Sequence, residues 1–113
     1  MEVHPGVFVS DVATADWRPD VEIGGGAEEH VLFDTGPLRA GLTRFSTEAD
    51  RTPLVWELPA TEVLLVLEGE ARIEIEHGPQ LELKTGDMAC LPKGAMTTWH
   101  LTLPFKEMWV LAE

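Results

Sequence analysis

The amino-acid sequence predicts an all-β domain, a sandwich or barrel of short antiparallel strands. In residues 71–76 apolar side chains occupy every second position, which is typical of a strand with one solvated face. Turn-forming combinations recur at short intervals, as in His77-Gly78-Pro79 and Pro92-Lys93-Gly94. No segment shows a sustained helical period. These observations predict about eight to ten strands and at most a short helical turn.

The chain fits a single domain, 1–113, in which residues 1–37 supply N-terminal strands and loops and residues 38–113 form the core. A chain of 113 residues can bury roughly two-thirds of its unfolded surface. Residues 63–67 are apolar throughout, so we expect both of their faces to be covered, by a second sheet or by a partner subunit. The other predicted strands are 7–9, 30–33, 38–45, 71–76, 81–84 and 105–111, the last of them set off by Pro104.

The amino-acid composition narrows the binding partners and the cellular compartments that we expect for this protein. Eight Lys and Arg residues against 20 Asp and Glu residues give a net charge of −12, which repels phosphate backbones and anionic membranes. We therefore expect no nucleic-acid partner and no membrane association. The single cysteine, Cys90, cannot form an internal disulfide, and its apolar neighbours predict an inert core thiol rather than a nucleophile. No apolar run is long enough for a signal segment or a membrane span, so a cytoplasmic location is expected.

Two spaced motifs carry a family resemblance. Glu62 is followed by six residues and Gly69, and further along Gly86 is followed by five residues and Pro92-Lys93-Gly94. This pattern resembles the paired motifs of the cupin superfamily, the RmlC-like proteins. With Trp99 and the C-terminal segment, the chain is similar within that superfamily to the small (S)-ureidoglycine aminohydrolase cupin domain. The resemblance implies an antiparallel double-stranded β-helix, which is the jelly-roll cupin barrel.

The resemblance also implies a divalent metal in the barrel mouth, held by three histidines and one glutamate. In this chain Thr97 takes the histidine position of the second motif. The two histidine positions of the first motif are taken by Trp56 and Leu58 or, if the longer spacing of that motif is used, by Val55 and Glu57. Of the four usual ligands Glu62 remains, and one carboxylate holds a transition metal poorly because such metals favour imidazole or thiolate donors. We therefore predict no metal site and no cofactor, with a bound divalent metal as the alternative.

Glu62 is the candidate catalytic acid or base, the alternative being a structural carboxylate paired with a neighbouring donor. Arg44 and Lys106 are candidate partners for it, or else solvated surface charges. The resemblance places Glu62 inside the barrel, where burial would raise its pKa. Trp56 and Trp99 fit a stacking surface for a flat or sugar-like ligand, and equally fit plain core. The predicted ligand-binding residues are Trp56, Glu57, Glu62, Thr97 and Trp99.

Three functions remain open at this point. The favoured one is binding of a small polar metabolite in the barrel mouth, without a metal or with little of it. The second is an enzyme on small nitrogen-rich or sugar-like substrates, metal-dependent like the aminohydrolase it resembles, with Glu62 as the proton carrier. The third is a structural or regulatory module that acts through a dimer interface. A homodimer is expected in each case, because residues 63–67 and 7–9 are apolar and sheet edges favour pairing.

Overall fold

A computed structural model describes residues 1–50 and 52–113. This part of the chain forms strands and turns without a helix, which confirms the all-β prediction. It contains no helix with the length and apolar character needed to cross a membrane. Ten strands follow one another as β1 (Glu2–His4), β2 (Val7–Phe8), β3 (Arg18–Pro19), β4 (Glu28–Asp34), β5 (Leu38–Phe45), β6 (Leu54–Glu57), β7 (Thr61–Ile75), β8 (Gln80–Lys84), β9 (Met88–Leu91) and β10 (Met96–Ala112).

The strands pair antiparallel and wind into the predicted jelly roll. β1 and β2 form a small separate hairpin, and the main sheet runs in the order β3-β4-β5-β10-β7-β8. The two long strands, β7 and β10, pair with each other along most of their length. Their first halves and second halves have different outer neighbours: β5 and β9 flank one end of the ribbon, and β6 and β8 flank the other. The ribbon therefore belongs to two sheets that face each other.

The bend between these two sheets depends on Gly69. Its φ is +77°, and a Cβ atom there would collide with the carbonyl oxygens of Thr102 and Pro104. On the opposite strand the register shifts between Thr102 and Lys106. The prediction of a separate final strand after Pro104 is therefore wrong, because β10 continues through that residue while the ladder is locally interrupted. The predicted strands 63–67 and 71–76 likewise join into β7.

The hydrophobic core fills the space between the two sheets. Alternation along each strand turns one set of side chains inward, as in Leu64 and Val66 of β7 before the bend and Ile73 after it. All three are at most 1% exposed. The remaining buried members of this cluster are Ala27, Phe45, Leu58, Ala71, Leu91, Trp99 and Phe105. Such burial across both sheets is the main stabilising contribution to the fold.

The outer face of β9 corrects one prediction. Cys90 is exposed, whereas a core thiol was predicted. Ala89 and Leu91 take the inward positions, so the alternation of the strand turns Cys90 and Met88 to the outside. The apolar neighbours of Cys90 in sequence were misleading because they lie on the other face of the strand.

The N-terminal segment is attached to the outside of the main sheet through His30 of β4. The hydroxyl of Ser10 lies 2.7 Å from His30 Nε2, and His30 Nδ1 lies 2.9 Å from the carbonyl oxygen of Asp16. Trp17 of the same segment lies under the guanidinium of Arg44, 4.1 Å from the ring centroid. These contacts hold residues 10–17 against the sheet.

Candidate functional site

A cavity of about 100 Å³ lies inside the barrel, between the two facing sheets. Its walls come from β5, β6, β7 and β10, and its rim from β4 and the loop that precedes β4. Three tryptophans and two phenylalanines contribute most of the apolar wall, namely Trp56, Trp99, Trp109, Phe45 and Phe105. The ionisable residues that line it are Asp20, Glu22, Glu29, Arg39, Glu62 and Glu107. The volume has room for several water molecules or a compact ligand.

Strand alternation places two carboxyl groups deep in this cavity. Glu62 pairs across the ladder with Leu111, and Glu107 pairs with Val66 and, on its other side, with Thr43. Because Glu62 and Val66 are four residues apart on β7, both side chains point inward. Glu62 and Glu107 therefore line the same space from neighbouring strands, in a diagonal relation.

Burial changes the acidity of both groups. Glu62 is 5% exposed and Glu107 is 7% exposed. Burial raises the pKa of Glu62 to about 7. Burial, together with the charge of nearby Glu62, raises the pKa of Glu107 well above its usual range. Near neutral pH Glu62 can therefore both donate and accept a proton, and Glu107 keeps its proton to higher pH than an ordinary glutamate does.

Each of these carboxyl groups has one oxygen without a partner. Glu62 Oε2 and Glu107 Oε2 are buried and accept no hydrogen bond from any residue within 1–50 and 52–113. Among those residues, these two oxygens are the buried side-chain polar atoms that lack a hydrogen-bond partner. Buried polar groups are normally satisfied, so an unpartnered pair inside a cavity indicates a place where a ligand or water supplies the missing donors.

The aromatic walls are held in place by two threonines. The indole N–H of Trp99 donates to Thr97 Oγ1 over 2.8 Å, and the Thr97 hydroxyl in turn donates to the carbonyl oxygen of Trp56 over 2.6 Å. The indole N–H of Trp109 donates to Thr43 Oγ1 over 2.8 Å. Both N–H groups are satisfied, so Trp99 and Trp109 offer the ligand ring carbons rather than donors.

Three of the five residues predicted to bind a ligand line the cavity, and two do not. Trp56, Glu62 and Trp99 are lining residues. Thr97 is fully buried behind them and acts through its hydrogen bonds. For Glu57 the structure corrects the expectation: it is exposed and lies outside the cavity, because alternation along β6 turns Trp56 inward and Glu57 outward.

Sequence reasoning missed Glu107, Trp109 and Arg39. A signal for the first two was present, since a period of two along β10 places Glu107 between Phe105 and Trp109 on one inward face. A carboxylate inside an apolar face is uncommon in plain core, and this makes Glu107 informative. Arg39 gave no such signal, because a charged residue near a strand end is usually solvated.

The predicted cationic partners of Glu62 are engaged elsewhere. Arg44 Nε lies 3.0 Å from Glu28 Oε1 on the outer face of the sheet. Lys106 donates to the carbonyl oxygen of Val12 over 3.1 Å. Both residues alternate with inward-facing neighbours, so neither can reach the interior. Within the described part of the chain, the cation that lines the cavity is Arg39, which flanks Leu111 on the side opposite Glu62.

A comparison with models of known protein families assigns this chain to a family. A model of the EutQ-like cupin domain matches residues 45–107, which is more than half of the chain. The chain belongs to the EutQ-like cupin family. This assignment confirms the cupin superfamily; the narrower likeness to the (S)-ureidoglycine aminohydrolase cupin domain stays a prediction.

Solved cupin structures agree with this EutQ-like cupin in fold. A putative ethanolamine utilization protein Q from Salmonella typhimurium is 23% identical, with 96% of this chain and 87% of that chain covered and a TM-score of 0.75. An RmlC-like cupin from Shewanella frigidimarina is 20% identical over 90% and 86% of the two chains, with a TM-score of 0.70. The KdgF structure from Halomonas sp. is 20% identical over 94% and 92%, with a TM-score of 0.66. Among curated proteins no match is found.

The residues of this EutQ-like cupin do not fit the metal centre that cupin enzymes carry. In the described ranges, 1–50 and 52–113, no three His, Cys, Asp or Glu side chains come close enough together to hold a metal ion. The usual histidine positions carry Thr97 and either Trp56 and Leu58 or, with the longer spacing, Val55 and Glu57. Leu58 is buried in the core, Thr97 makes two hydrogen bonds, and Glu57 is exposed outside the cavity. A transition metal would lack the nitrogen donors it prefers here.

Proposed function

We propose that this EutQ-like cupin binds a small polar metabolite inside the barrel and does so without a metal. The observation that carries the proposal is the pair of unpartnered oxygens on Glu62 and Glu107. A buried acceptor or donor left without a partner costs about 1–3 kcal/mol. A ligand with hydrogen-bond donors can supply the missing partners in place of water, so the cavity suits a polar molecule.

The walls of the cavity support the same proposal. Trp99 and Trp109 are pinned by Thr97 and Thr43, so their rings need little ordering when a ligand arrives. A preorganised apolar wall with a few placed polar groups is the usual composition of a small-molecule site.

A thermal-shift screen of small polar metabolites tests this function. We expect hits that raise the Tm of the wild type and of Glu70→Gln, a control that removes one exposed carboxylate from β7 outside the cavity. The same hits should leave the Tm of Glu107→Gln nearly unchanged, because that variant loses one of the two deep carboxyl groups. A screen without hits, or hits that act equally on Glu107→Gln, would contradict the proposal.

The acidity of Glu62 favours a second candidate, an enzyme that uses this carboxyl group for proton transfer. A pKa of about 7 is well suited to a general acid or base at neutral pH. Such an enzyme would work without the metal of the aminohydrolase it resembles. Incubating each hit with the wild type and with Glu62→Gln distinguishes the candidates: conversion by the wild type and not by the variant supports catalysis, and unchanged hits support binding alone.

A further inference from the structure

We propose, resting on the function proposed above, that the ligand of the cavity is a compact organic ammonium ion, held between Glu62 and Glu107 against the indole walls. The small volume, about 100 Å³, favours a compact ligand. The choice of a cation over a neutral or anionic molecule rests on three independent features of the lining.

The first feature is the charge of the lining. Five carboxyl groups and one guanidinium border the cavity in the described residues. Two of the rim carboxylates are already partly engaged: Glu29 with Arg18 at 3.1 Å, and Asp20 with the backbone N–H groups that follow it. Glu22 completes the rim. An acidic rim on a protein of net charge −12 attracts cations and repels anions before contact is made.

The second feature is the number of donors that the deep carboxyl groups can accept. Glu62 Oε2 and Glu107 Oε2 lie on more than nine-tenths buried side chains and have no donor in the part of the chain that the structure describes. A primary ammonium has a positive charge and three N–H donors, whereas a hydroxyl has one donor and a carboxylate has none. Of the three groups, the ammonium therefore suits a pair of carboxyl oxygens best.

The third feature is the aromatic wall. Trp99 and Trp109 use their N–H groups internally, which leaves their ring systems for contact with a ligand. Indole rings attract cations through their electron-rich faces, by about 0.5–2 kcal/mol depending on how far the cation is desolvated. The same rings cover the carbon skeleton of a small amine. Together with the carboxyl pair they match both ends of such a molecule.

Binding of a cation also changes the protonation of the carboxyl pair. The groups that face the pair are Arg39 from β5, Glu29 from β4, and Asp20 and Glu22 from the loop before β4. An ammonium between Glu62 and Glu107 favours their ionised forms, so the protons that burial retains are released when the ligand enters. Affinity for an amine should therefore rise from pH 6 to pH 8, a range in which a primary amine, with a pKa of about 10, keeps its charge.

Three probes with three carbon atoms each separate the ligand classes: n-propylamine, n-propanol and propionate. Binding of each is followed by thermal melting and by titration calorimetry. We expect n-propylamine to raise the Tm and the other two to leave it unchanged. Calorimetry in buffers of different ionisation enthalpy should show proton release with the amine. Mg²⁺ is run alongside, as the inorganic cation that the same carboxylates could attract.

Matched variants locate the effect. Glu107→Gln and Glu62→Gln should each weaken n-propylamine binding by about tenfold or more, since each removes one partner of a buried charge pair. Glu70→Gln makes the same change in net charge on the outer surface of β7 and should bind as the wild type does. Arg39→Gln should strengthen amine binding, because it removes the one cation of the lining among residues 1–50 and 52–113.

Each result separates this inference from the proposed function. If n-propanol or propionate raises the Tm as much as n-propylamine does, the ammonium inference is overturned and metabolite binding still stands. If Mg²⁺ raises the Tm and n-propylamine does not, the cavity binds an inorganic cation and the ammonium inference is again overturned. If no probe acts, the inference fails, and the metabolite screen then decides the proposed function by itself.

Discussion

Glu62 of β7 and Glu107 of β10 lie on neighbouring strands of the barrel, and the charge of the first raises the pKa of the second. Both side chains line one small cavity and each has a buried oxygen without a partner. The fold tolerates this pair because both carboxyl groups can hold a proton at moderate pH. The two buried carboxyl groups therefore lower the free energy of unfolding, and they lower it further as the pH rises and the protons are lost.

We expect the free energy of unfolding to fall as pH rises from 5 to 8. The folded-state pKa of Glu62, about 7, is above the unfolded value of 4.5, so the contribution of Glu62 is complete below pH 4.5 and lost through pH 7. The shift corresponds to a loss on the order of 3 kcal/mol. Glu107, whose pKa is raised further in the same direction, extends the loss to higher pH. Urea unfolding at a series of pH values measures this slope.

The control for this slope is Glu62→Gln, which cannot titrate at that position. General repulsion at a net charge of −12 also eases on acidification, but it does so in both proteins. The variant should therefore show a shallower dependence than the wild type between pH 5 and pH 8. Equal slopes would mean that Glu62 is ionised throughout this range and that its burial has no effect on stability.

Replacing Thr97 by Val should be more destabilising than replacing Thr43 by Val. The Thr97 hydroxyl serves both the Trp99 N–H and the Trp56 carbonyl, whereas Thr43 Oγ1 accepts from Trp109 alone. At about 1–3 kcal/mol for each buried group left unpaired, we expect losses of about 3 kcal/mol and about 1.5 kcal/mol. Urea denaturation measures both. Equal losses would show that Trp56 and Trp99 find other partners.

Replacing Gly69 by Ala should disrupt the bend of the β7–β10 ribbon, whereas the same change at Gly86 should not. Both glycines have positive φ, +77° and +94°, so an alanine at either position has a backbone strain of roughly 1–2 kcal/mol. At Gly69 the new methyl also collides with the carbonyl oxygens of Thr102 and Pro104, which are part of the backbone; at Gly86 no atom lies within 4 Å. We expect Gly69→Ala to lower the Tm far more. Similar melting temperatures would contradict the close approach at Gly69.

Purified protein should contain well below one equivalent of transition metal. The histidine positions of cupin metal sites carry Thr97 and either Trp56 and Leu58 or Val55 and Glu57, and imidazole is a donor that such metals favour. Elemental analysis of protein purified without chelators gives the answer, with a cupin that keeps all its histidines as the positive control. Stoichiometric Mn, Fe, Ni or Zn that survives dialysis would overturn the prediction.

We further propose a homodimer, with the outer face of β7 and β9 as the interface. Val63 is 47% exposed and Met88 is 75% exposed, and they lie on a strip continued by Leu65 and Cys90. Such a strip is more apolar than a solvated sheet face usually is. Sedimentation at micromolar concentration should show a dimer that Met88→Lys shifts toward the monomer, and Val21→Lys, in an exposed loop, should not. A monomeric wild type would contradict this proposal and the dimerisation module with it.

Local patterns were sufficient for much of the architecture. The bounds of β5 and the wet face of residues 71–76 follow from alternation, because the period of two is a property of the strand itself. The spacing from Glu62 to Gly69 and from Gly86 to Pro92 indicated the superfamily for a similar reason: it places a carboxylate and the glycines of two turns at set positions along the strands. These features depend on residues close together in the chain.

The tertiary structure alone decided which face of each strand meets the cavity. Cys90 is predicted in the core and is exposed. Arg44, a candidate partner of Glu62 or else a surface charge, pairs with Glu28 on the outer surface. Sequence reasoning missed Glu107, which lines the same cavity as Glu62 from the neighbouring strand, four residues along the β7–β10 ladder. The burial of a side chain and its hydrogen-bond or ion-pair partner depend on residues that are distant in sequence. The bend at Gly69 brings these residues together, because it folds one ribbon into two facing sheets. Alternation predicts that neighbours in a strand lie on opposite faces, and the packing of those sheets determines which face is inside.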